Sequence, residues 1–362
     1  MLHSTSKVSA NARAQRVLVV CSVVLATITA WAQPTRNVGD DGAGAAREST
    51  ASQEIQWRLD GSGTSWESGP AEVRWDQPLR LRVKPVSGAS IRWYQIIPDT
   101  RKFYKNANHP WEPDAYKWVG YGKIDYLRRE FAAWRGSWEV RLGSSATSRP
   151  DEPPQLDYPE AGPYYRPEVG SFWFDVEILS AGRILRSPGL RETTERGLST
   201  KVFRLSRRQD DSLVGWLTSF FNVPGVFGST PWQSGNYIGV DCADCMAAAW
   251  SKWKGKTLTR DWNVAGIVGE WPKEREFDLE EGTPSGEIRW GTDIRPGDFV
   301  AVRYPGRRQY QHIGALYADA NKNGKLDAED LVIHAGPQAL QISRLSAGNF
   351  DGRVSVIRAT AR

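Results

Sequence analysis

The sequence predicts a mixed α+β protein in two parts, a β-sandwich-like first half over residues 55–205 and an α+β second half over residues 206–362. Three observations predict it. A chain of 362 residues is long enough for two domains of ordinary size. The first half alternates short β-branched and aromatic runs with turn signals, the pattern of stacked antiparallel strands. The second half opens on a helical apolar run, passes through an Ala-rich helix and ends in short strands.

Residues 1–32 carry Lys7, Arg13 and Arg16 but no acid, followed by a 14-residue apolar run from Val17 to Ala30 and the triplet Ala30-Trp31-Ala32. This is the pattern of a secretory signal peptide cut after Ala32. An uncleaved anchor is the alternative, but the run is short of the ~20 apolar residues a spanning helix needs, and no later stretch reaches that length. Cys21 lacks the small residues that precede a lipoprotein cysteine. The expected location is periplasmic or secreted, with no permanent membrane span in the mature chain. The formal charge of +5 loses the three signal cations and becomes +2, too little to argue for nucleic acid. Two of the three cysteines remain after cleavage, Cys242 and Cys245, which excludes a disulfide-stapled scaffold.

Residues 33–54 are Gly, Ala, Ser, Thr, Asp and Arg with almost nothing large and apolar, a composition that predicts a disordered linker. Strands are expected at Ile55–Leu59, Leu79–Val83, Ile91–Ile96, Phe172–Ile178 and Val202–Leu205. A short helix is expected around Tyr126–Trp134, and the proline-rich stretch Arg149–Pro167 reads as an irregular loop. The Trp and Tyr residues of this half are expected in its core, although an exposed aromatic row would suit stacking on glycan chains.

In the segment from Gly239 to Gly255, Asp241 is placed as N-cap, Asp244 as the acid at the third helical position, and Lys252, Lys254 and Gly255 as the closing end. Cys242 then occupies the first helical position, where the dipole and unpaired N–H groups favour a thiolate and can hold an oxyanion. The two aspartates oppose that effect, so activation requires a histidine. Met246, Ala249, Trp250 and Trp253 make a helical stripe, and Cys245 falls near it as a core residue. A Cys-x-x-Cys pair also serves thiol–disulfide exchange or half a zinc site, but a thioredoxin-like motif follows a buried strand, whereas here a Gly/Pro/Ser-rich loop precedes it.

His312 and His334 sit in similar strand contexts, Gln311-His-Ile-Gly-Ala-Leu-Tyr317 and Leu331-Val-Ile-His-Ala-Gly336. Paired as an antiparallel hairpin, the two strands bring one imidazole beside the other, so that one orients its partner as a general base. Read alone, either histidine is a strand cap; the joint pattern favours a site.

These residues resemble the NlpC family of papain-like cell-wall peptidases, whose ordered motifs match Asp241-Cys242, Gly297-Asp298, His312-Ile313-Gly314 and Ile333-His334-Ala335. The resemblance covers roughly the last 150 residues. It implies a papain-like α+β fold and amide hydrolysis, with Cys242 as nucleophile, His312 as general base, His334 as orienting residue and the Cys242 N–H in the oxyanion hole. It also implies a tyrosine upstream, near the substrate carbonyl, for which Tyr237 is the nearest candidate. Ala243 and Asp244 depart from the family's Ser-Gly, so its usual γ-D-glutamyl-diamino-acid specificity does not simply carry over.

Between the histidine strands, Asp319-Ala-Asn-Lys-Asn-Gly-Lys-Leu-Asp-Ala-Glu-Asp330 has the spacing of an EF-hand-type calcium loop, residues 319–330. Asp319, Asn321, Asn323, Asp327 and Asp330 would give side-chain oxygens to Ca2+, and Lys325 its backbone carbonyl. Asp330 replaces the usual glutamate, as in the dockerin-like loops this segment also resembles. Strands flank the loop, so the ion is expected to close the hairpin that positions the histidines rather than to switch a groove open. A polar turn without a metal is the alternative.

The functional expectation is therefore an exported cysteine hydrolase acting on peptide amides in peptidoglycan. A non-catalytic calcium-binding wall protein on a degenerate peptidase fold and a papain-like acyltransferase are the rivals.

Overall fold

The computed structural model describes residues 47–362 apart from 62, 64, 144–155, 157, 159 and 160. The expected signal peptide, and the expected linker up to residue 46, lie outside the described residues. The chain is mixed α+β.

The first half forms β1 (Arg47–Ser52), β2 (Gln56–Leu59), β3 (Glu67–Ser68), β4 (Ala71–Arg74), β5 (Leu79–Arg82) and β6 (Ser90–Pro98). After these come β7 (Tyr104–Lys105), β8 (Tyr126–Glu130), β9 (Glu139–Leu142), β10 (Gly170–Ser180), β11 (Arg183–Arg186) and β12 (Phe203–Arg208). The second half holds α1 (Leu213–Thr218), β13 (Val226–Phe227), α2 (Pro231–Gly235), α3 (Cys242–Trp253) and α4 (Val264–Glu270). It closes with β14 (Lys273–Glu280), β15 (Thr283–Pro284), β16 (Phe299–Arg303), β17 (His312–Ala318), β18 (Leu331–His334), β19 (Gln341–Arg344) and β20 (Gly352–Ile357).

All five strands read from the first half are present. They fall in two sheets: β1-β11-β10-β12-β4 with β6 and β8 attached through β10, and β3-β2-β5-β9. Alternate residues of both enter one apolar cluster, with Leu79, Leu81 and Val140 from the smaller sheet meeting Trp93, Phe172 and Phe174 from the larger.

Two expectations for this half are corrected. Of the short helix expected around Tyr126–Trp134, only Ala132–Trp134 is helical, as one 3₁₀ turn, and Tyr126–Glu130 is a strand paired with β6. The Arg128 guanidinium there donates to the buried Asp175 carboxylate at 2.7 Å and lies 3.4 Å from the centre of the Tyr94 ring, so tertiary pairing overrides helix propensity. Residues 47–52 of the expected linker form β1, which pairs in parallel with β11; a strand added to an existing edge satisfies its backbone without needing apolar side chains.

The second half is organised by the sheet β15-β14-β20-β16-β17-β18-β19. Strand alternation sends Phe299, Ala301, Ile313 and Ala315 to the face carrying α3, and Val300, Val302 and Leu316 to the other. Alanines on both α3 and the sheet let helix and strand backbones approach closely. Nine consecutive residues of α3, Ala243 to Ser251, are buried, so the helix is enclosed on all sides rather than striped. Asp241 caps its start by accepting from Asp244 N–H at 2.9 Å, and Gly255, at φ +61°, ends it as expected from the sequence.

The expected division at residues 205 and 206 falls inside β12. Ile96, Tyr104 and Trp173 of the first half share one apolar cluster with Phe220, Met246, Ala301 and Ile333 of the second. The described residues from 47 to 362 cluster as one compact unit.

Candidate active site

Gly297 and Asp298 lead into β16. The buried Asp298 accepts from Arg295 N–H at 2.9 Å and from the Arg358 guanidinium at 3.2 Å, tying the sheet to the C-terminal segment. The Gly297-Asp298 pair is scaffold.

The histidine hairpin forms with Gly314, not His312, opposite His334. His312 is thus the diagonal neighbour, and its Nε2 meets His334 Nδ1 at 3.1 Å. The rings cross at 82° and both pack on Phe350. Glycine at 314 has a steric cause: a Cβ there would lie 2.8 Å from His334 Cβ and 2.9 Å from Ile333 O. Without that Cβ, His334 leans across its partner strand towards His312.

His334 Nε2 lies 3.0 Å from Ser343 Oγ on β19, a residue the sequence reading did not include. The contacts admit two tautomer arrangements, and a base on His312 requires the following one. His312 Nε2–H donates to His334 Nδ1, and His334 Nε2–H donates to Ser343, which leaves His312 Nδ1 as the nitrogen available to a thiol.

Cys242 is half-buried at the first position of α3, and the backbone N–H groups of Ile313 and Ala243 point at its sulfur. Cys242 and His312 line the same cavity of about 460 Å³. No hydrogen bond joins them among the described residues. Gly336, at φ +98°, passes so close that a Cβ would sit 3.6 Å from Cys242 N. Glycine therefore keeps the approach to that N–H open. Cys245 is fully buried one turn on and belongs to the core, as expected. The two thiols are free and do not open onto a common surface.

Burial and the neighbouring Asp241 carboxylate push the Cys242 thiol well above the ordinary cysteine range. Burial, with His334 beside it, lowers His312 to about 3, and burial lowers His334 to about 4. Asp241 is itself raised to about 6 by burial, with Asp261 nearby. Each of these shifts favours the uncharged form, a neutral thiol beside neutral imidazoles. Histidine-ring NMR is expected to show His312 and His334 neutral from pH 8 down to 5. An imidazolium at pH 7 would contradict this. The linkage sign follows from the lowered folded values: the stability these rings contribute is complete above the unfolded value of 6.5 and is lost as pH falls towards 4 and 3.

Beneath the thiol lies a small polar network. Asp241 N–H donates to Ser229 Oγ at 3.0 Å, and Ser229 Oγ–H donates to Asp244 Oδ2 at 2.5 Å. This relays the helix cap through a third side chain.

Tyr237 is not at the site. It is fully buried, its hydroxyl bonds Ser219 Oγ at 3.0 Å, and its ring stacks on Phe220 at 4.2 Å and under Arg204 at 4.0 Å. Its left-handed backbone, φ +60°, turns it into the core. The tyrosine that lines the cavity shared by Cys242 and His312 is Tyr304, one residue past β16, with its hydroxyl donating to Asn349 O at 3.0 Å, and Tyr310 lines the cavity on the other side of Cys242. Only the position of Tyr304 after the Gly-Asp strand could have signalled it.

A second cavity of about 440 Å³ opens on the other side of Cys242, towards α4. Its walls include the carboxylates of Asp241 and Asp261 and no Lys, Arg or His, whereas the first cavity contains Arg307. Both cavities are closed on one side by the first half of the chain. His109 and Trp111 line one, Tyr116 and Trp118 the other.

In the 319–330 loop, Asp319 accepts from Gly324 N–H at 2.8 Å and Asn323 N–H at 3.2 Å. Asn321 and Asn323 converge on Asp327 Oδ2 at 2.8 and 2.6 Å. Trp290 N–H donates to Gly324 O and Leu326 N–H to Ile288 O, pinning the chain on either side of Lys325. Asp330 lies beneath the loop, fully buried, accepting from Trp290 Nε1 at 2.8 Å, Asp327 N–H at 3.0 Å and Ala320 N–H at 3.1 Å. Three bonds commit most of its lone pairs, so Asp330 acts as an internal clasp more than as the terminal ligand the spacing suggests. Among the described residues no group of three His, Cys, Asp or Glu side chains is placed to share a metal ion. The loop's donor set is half amide and carbonyl oxygen, the chemistry of a hard cation.

Comparison with family models, with curated proteins and with solved structures gave no match.

Proposed function

We propose that this chain is an exported cysteine peptidase of the NlpC type, cleaving peptide amide bonds in peptidoglycan stem peptides on a papain-like α+β scaffold joined to a β-sandwich. One observation carries the reading. A cysteine at the first turn of a buried helix shares a cavity with a histidine whose far nitrogen is held at 3.1 Å by a second histidine.

Cys242 Sγ attacks the amide carbon as its proton passes to His312 Nδ1, and the oxyanion meets the free Cys242 N–H at the helix start. His312 returns the proton to the departing amine, leaving a thioester. Water then attacks that thioester, giving its proton to His312 and releasing a carboxylic acid and the thiol. His334 and Ser343 hold the tautomer throughout. Because the resting pair is neutral, proton transfer accompanies attack. The thiol hydrogen bond absent from this conformation forms when substrate fills the cavity.

The α4-side cavity, with Asp241 and Asp261 and no basic residue, suits an ammonium group of the substrate. Asp261→Asn is expected to raise KM on the order of tenfold for peptides with a free amine and to leave KM for their N-acetylated forms nearly unchanged. Equal effects on both would remove that assignment. The defining experiment is mass spectrometry of peptidoglycan fragments incubated with wild-type chain: new amine and carboxyl ends support the reading, and intact fragments oppose it.

The residues of the 319–330 loop fit Ca2+, with Asp319, Asn321, Asn323 and Asp327 giving side-chain oxygens and Lys325 its carbonyl; the bound ion would neutralise that converging set. Melting temperature is expected to rise on the order of 5 °C with Ca2+ at 100 times its Kd. Chelator should reverse the rise and Asp319→Ala remove it; no change with either reagent would reject the calcium assignment.

A second reading is favoured by one observation: among the described residues no hydrogen bond links Cys242 to His312. It is a calcium-stabilised wall-binding protein on a peptidase fold. Sacculus binding that survives Cys242→Ala, with no hydrolysis by the wild type, would support it. Among the described residues no helix is long and apolar enough to cross a membrane, and export is proposed on the first 32 residues alone.

A further inference from the structure

The first half of the chain supplies one wall of the groove, and its chemistry is unlike that of the catalytic wall. Residues 106–121 carry three large aromatics on the outer surface: Trp111 is 70% exposed, Tyr116 60% and Trp118 48%. Exposed rings of this size are uncommon on a surface with no ligand to meet. They are not scattered. Trp111 stacks on His109 at 4.6 Å and 4°, and His109 packs on Phe227 at 4.4 Å. Phe227 in turn meets Tyr116 at 6.2 Å, making one row that passes both cavities beside Cys242.

The row is held rigidly. Buried Asn106 donates to Gly228 O at 3.0 Å and Gln233 Oε1 at 2.7 Å, and accepts from Gly122 N–H at 2.9 Å. Glu112 pairs with Lys105 and accepts from His109 N–H at 2.6 Å. Because one face of Trp111 rests on His109, the ring is ordered at the edge of the cavity while most of it stays exposed. Ordering therefore costs little when a ligand arrives.

The rim opposite the rings is polar. Gln311, with a buried Oε1 that has no partner, lies with Arg307, Asn349 and Asp351 in the Trp111 cavity. His109 Nδ1 is likewise buried without a partner. A flat apolar face in one cavity with polar side chains matches a pyranose ring, whose axial C–H groups stack on aromatics while its equatorial hydroxyl and amide groups bond polar groups beside it. An apolar peptide side chain would offer Arg307, Gln311 and Asp351 no hydrogen bond.

We propose that the 106–121 loop is a saccharide platform, with Trp111 as its principal stacking residue, so that the substrate is a peptide still attached to an amino-sugar chain. The proposal rests on the peptidase reading for its substrate, but its binding test does not. In calorimetry, full-length Cys242→Ala chain is titrated with a soluble β-1,4-linked N-acetylglucosamine tetramer. Saturable binding is expected, weakened at least tenfold by an added Trp111→Ala and largely kept by Trp111→Phe. Phe103→Ala, exposed and outside both cavities, serves as the control and is expected to bind as the parent. Titrations with a stem peptide, bare and sugar-bearing, then read specificity: Trp111→Ala should cost at least tenfold more on the sugar-bearing form. Absence of tetramer binding, or equal losses on both peptides, would overturn the platform and indicate a pocket for an apolar peptide side chain. Tetramer binding by a chain that cleaves no peptide would uphold the platform while rejecting the peptidase reading.

Discussion

Cys242→Ala is expected to reduce peptide hydrolysis to background, with the melting temperature shifted by no more than about 2 °C. The thiol is half-buried, sits at a helix start and makes only weak contacts with the N–H groups of Ile313 and Ala243, so losing it opens little space. Its loss removes the attacking atom. Cys245→Ala gives the opposite pattern. That sulfur is fully buried among Met246 and Ala249, and its removal should cost about 1 kcal/mol of stability while activity persists. Equal loss in both variants would point to a redox or metal role for the pair. Activity surviving Cys242→Ala would end the nucleophile assignment.

Gly314→Ala is expected to damage the site although it exchanges one small residue for another. The added methyl would meet His334 Cβ at 2.8 Å and Phe350 Cζ at 3.0 Å, contacts that neither neighbour relieves without moving. Overpacking of this kind costs about 1–3 kcal/mol. The functional cost is larger, because His334 can retreat only by turning away from His312, and an ångström of misplacement in a catalytic group can cost on the order of 100-fold in rate. The signature separating this from simple destabilisation is a loss of kcat in the folded population, with the His312 and His334 ring signals shifted in NMR. Unshifted rings with full kcat would show the hairpin tolerates the methyl.

Much of this arrangement was legible in the chain. Asp241, Asp244 and Gly255 mark the ends of α3 through local capping rules that tertiary structure does not override. The hairpin of β17 and β18 was legible because strand alternation and a polar loop fix its register nearly on their own. The two histidines are diagonal rather than opposite, a detail that depends on the glycine at 314 and not on spacing. What escaped was non-local. β8 reads as helix until Asp175, 47 residues from Arg128, supplies its partner. β1 has a linker's composition and is held by backbone pairing with β11. Ser343 joins the site through strand order, which no local pattern encodes, and Tyr304 is marked only by its place after the Gly-Asp strand. Tyr237 was chosen for its proximity in sequence, yet one left-handed residue is enough to turn a side chain from cleft to core. The aromatics of residues 106–121 were expected in a core because small β domains place most of theirs there. Their exposure follows from a loop pinned across the catalytic half by Asn106, a contact spanning 127 residues to Gln233.

The central claim is that Cys242 forms a thioester with His312 as its base. Its most direct test is intact-mass detection of covalent adducts with a peptide-based thiol-reactive acyl probe at neutral pH, on wild type, Cys242→Ala, Cys245→Ala and His312→Ala. The account predicts one adduct on wild type and Cys245→Ala, none on Cys242→Ala, and a rate lowered on the order of 100-fold in His312→Ala. Labelling that is slow in the wild type and indifferent to His312 would contradict it.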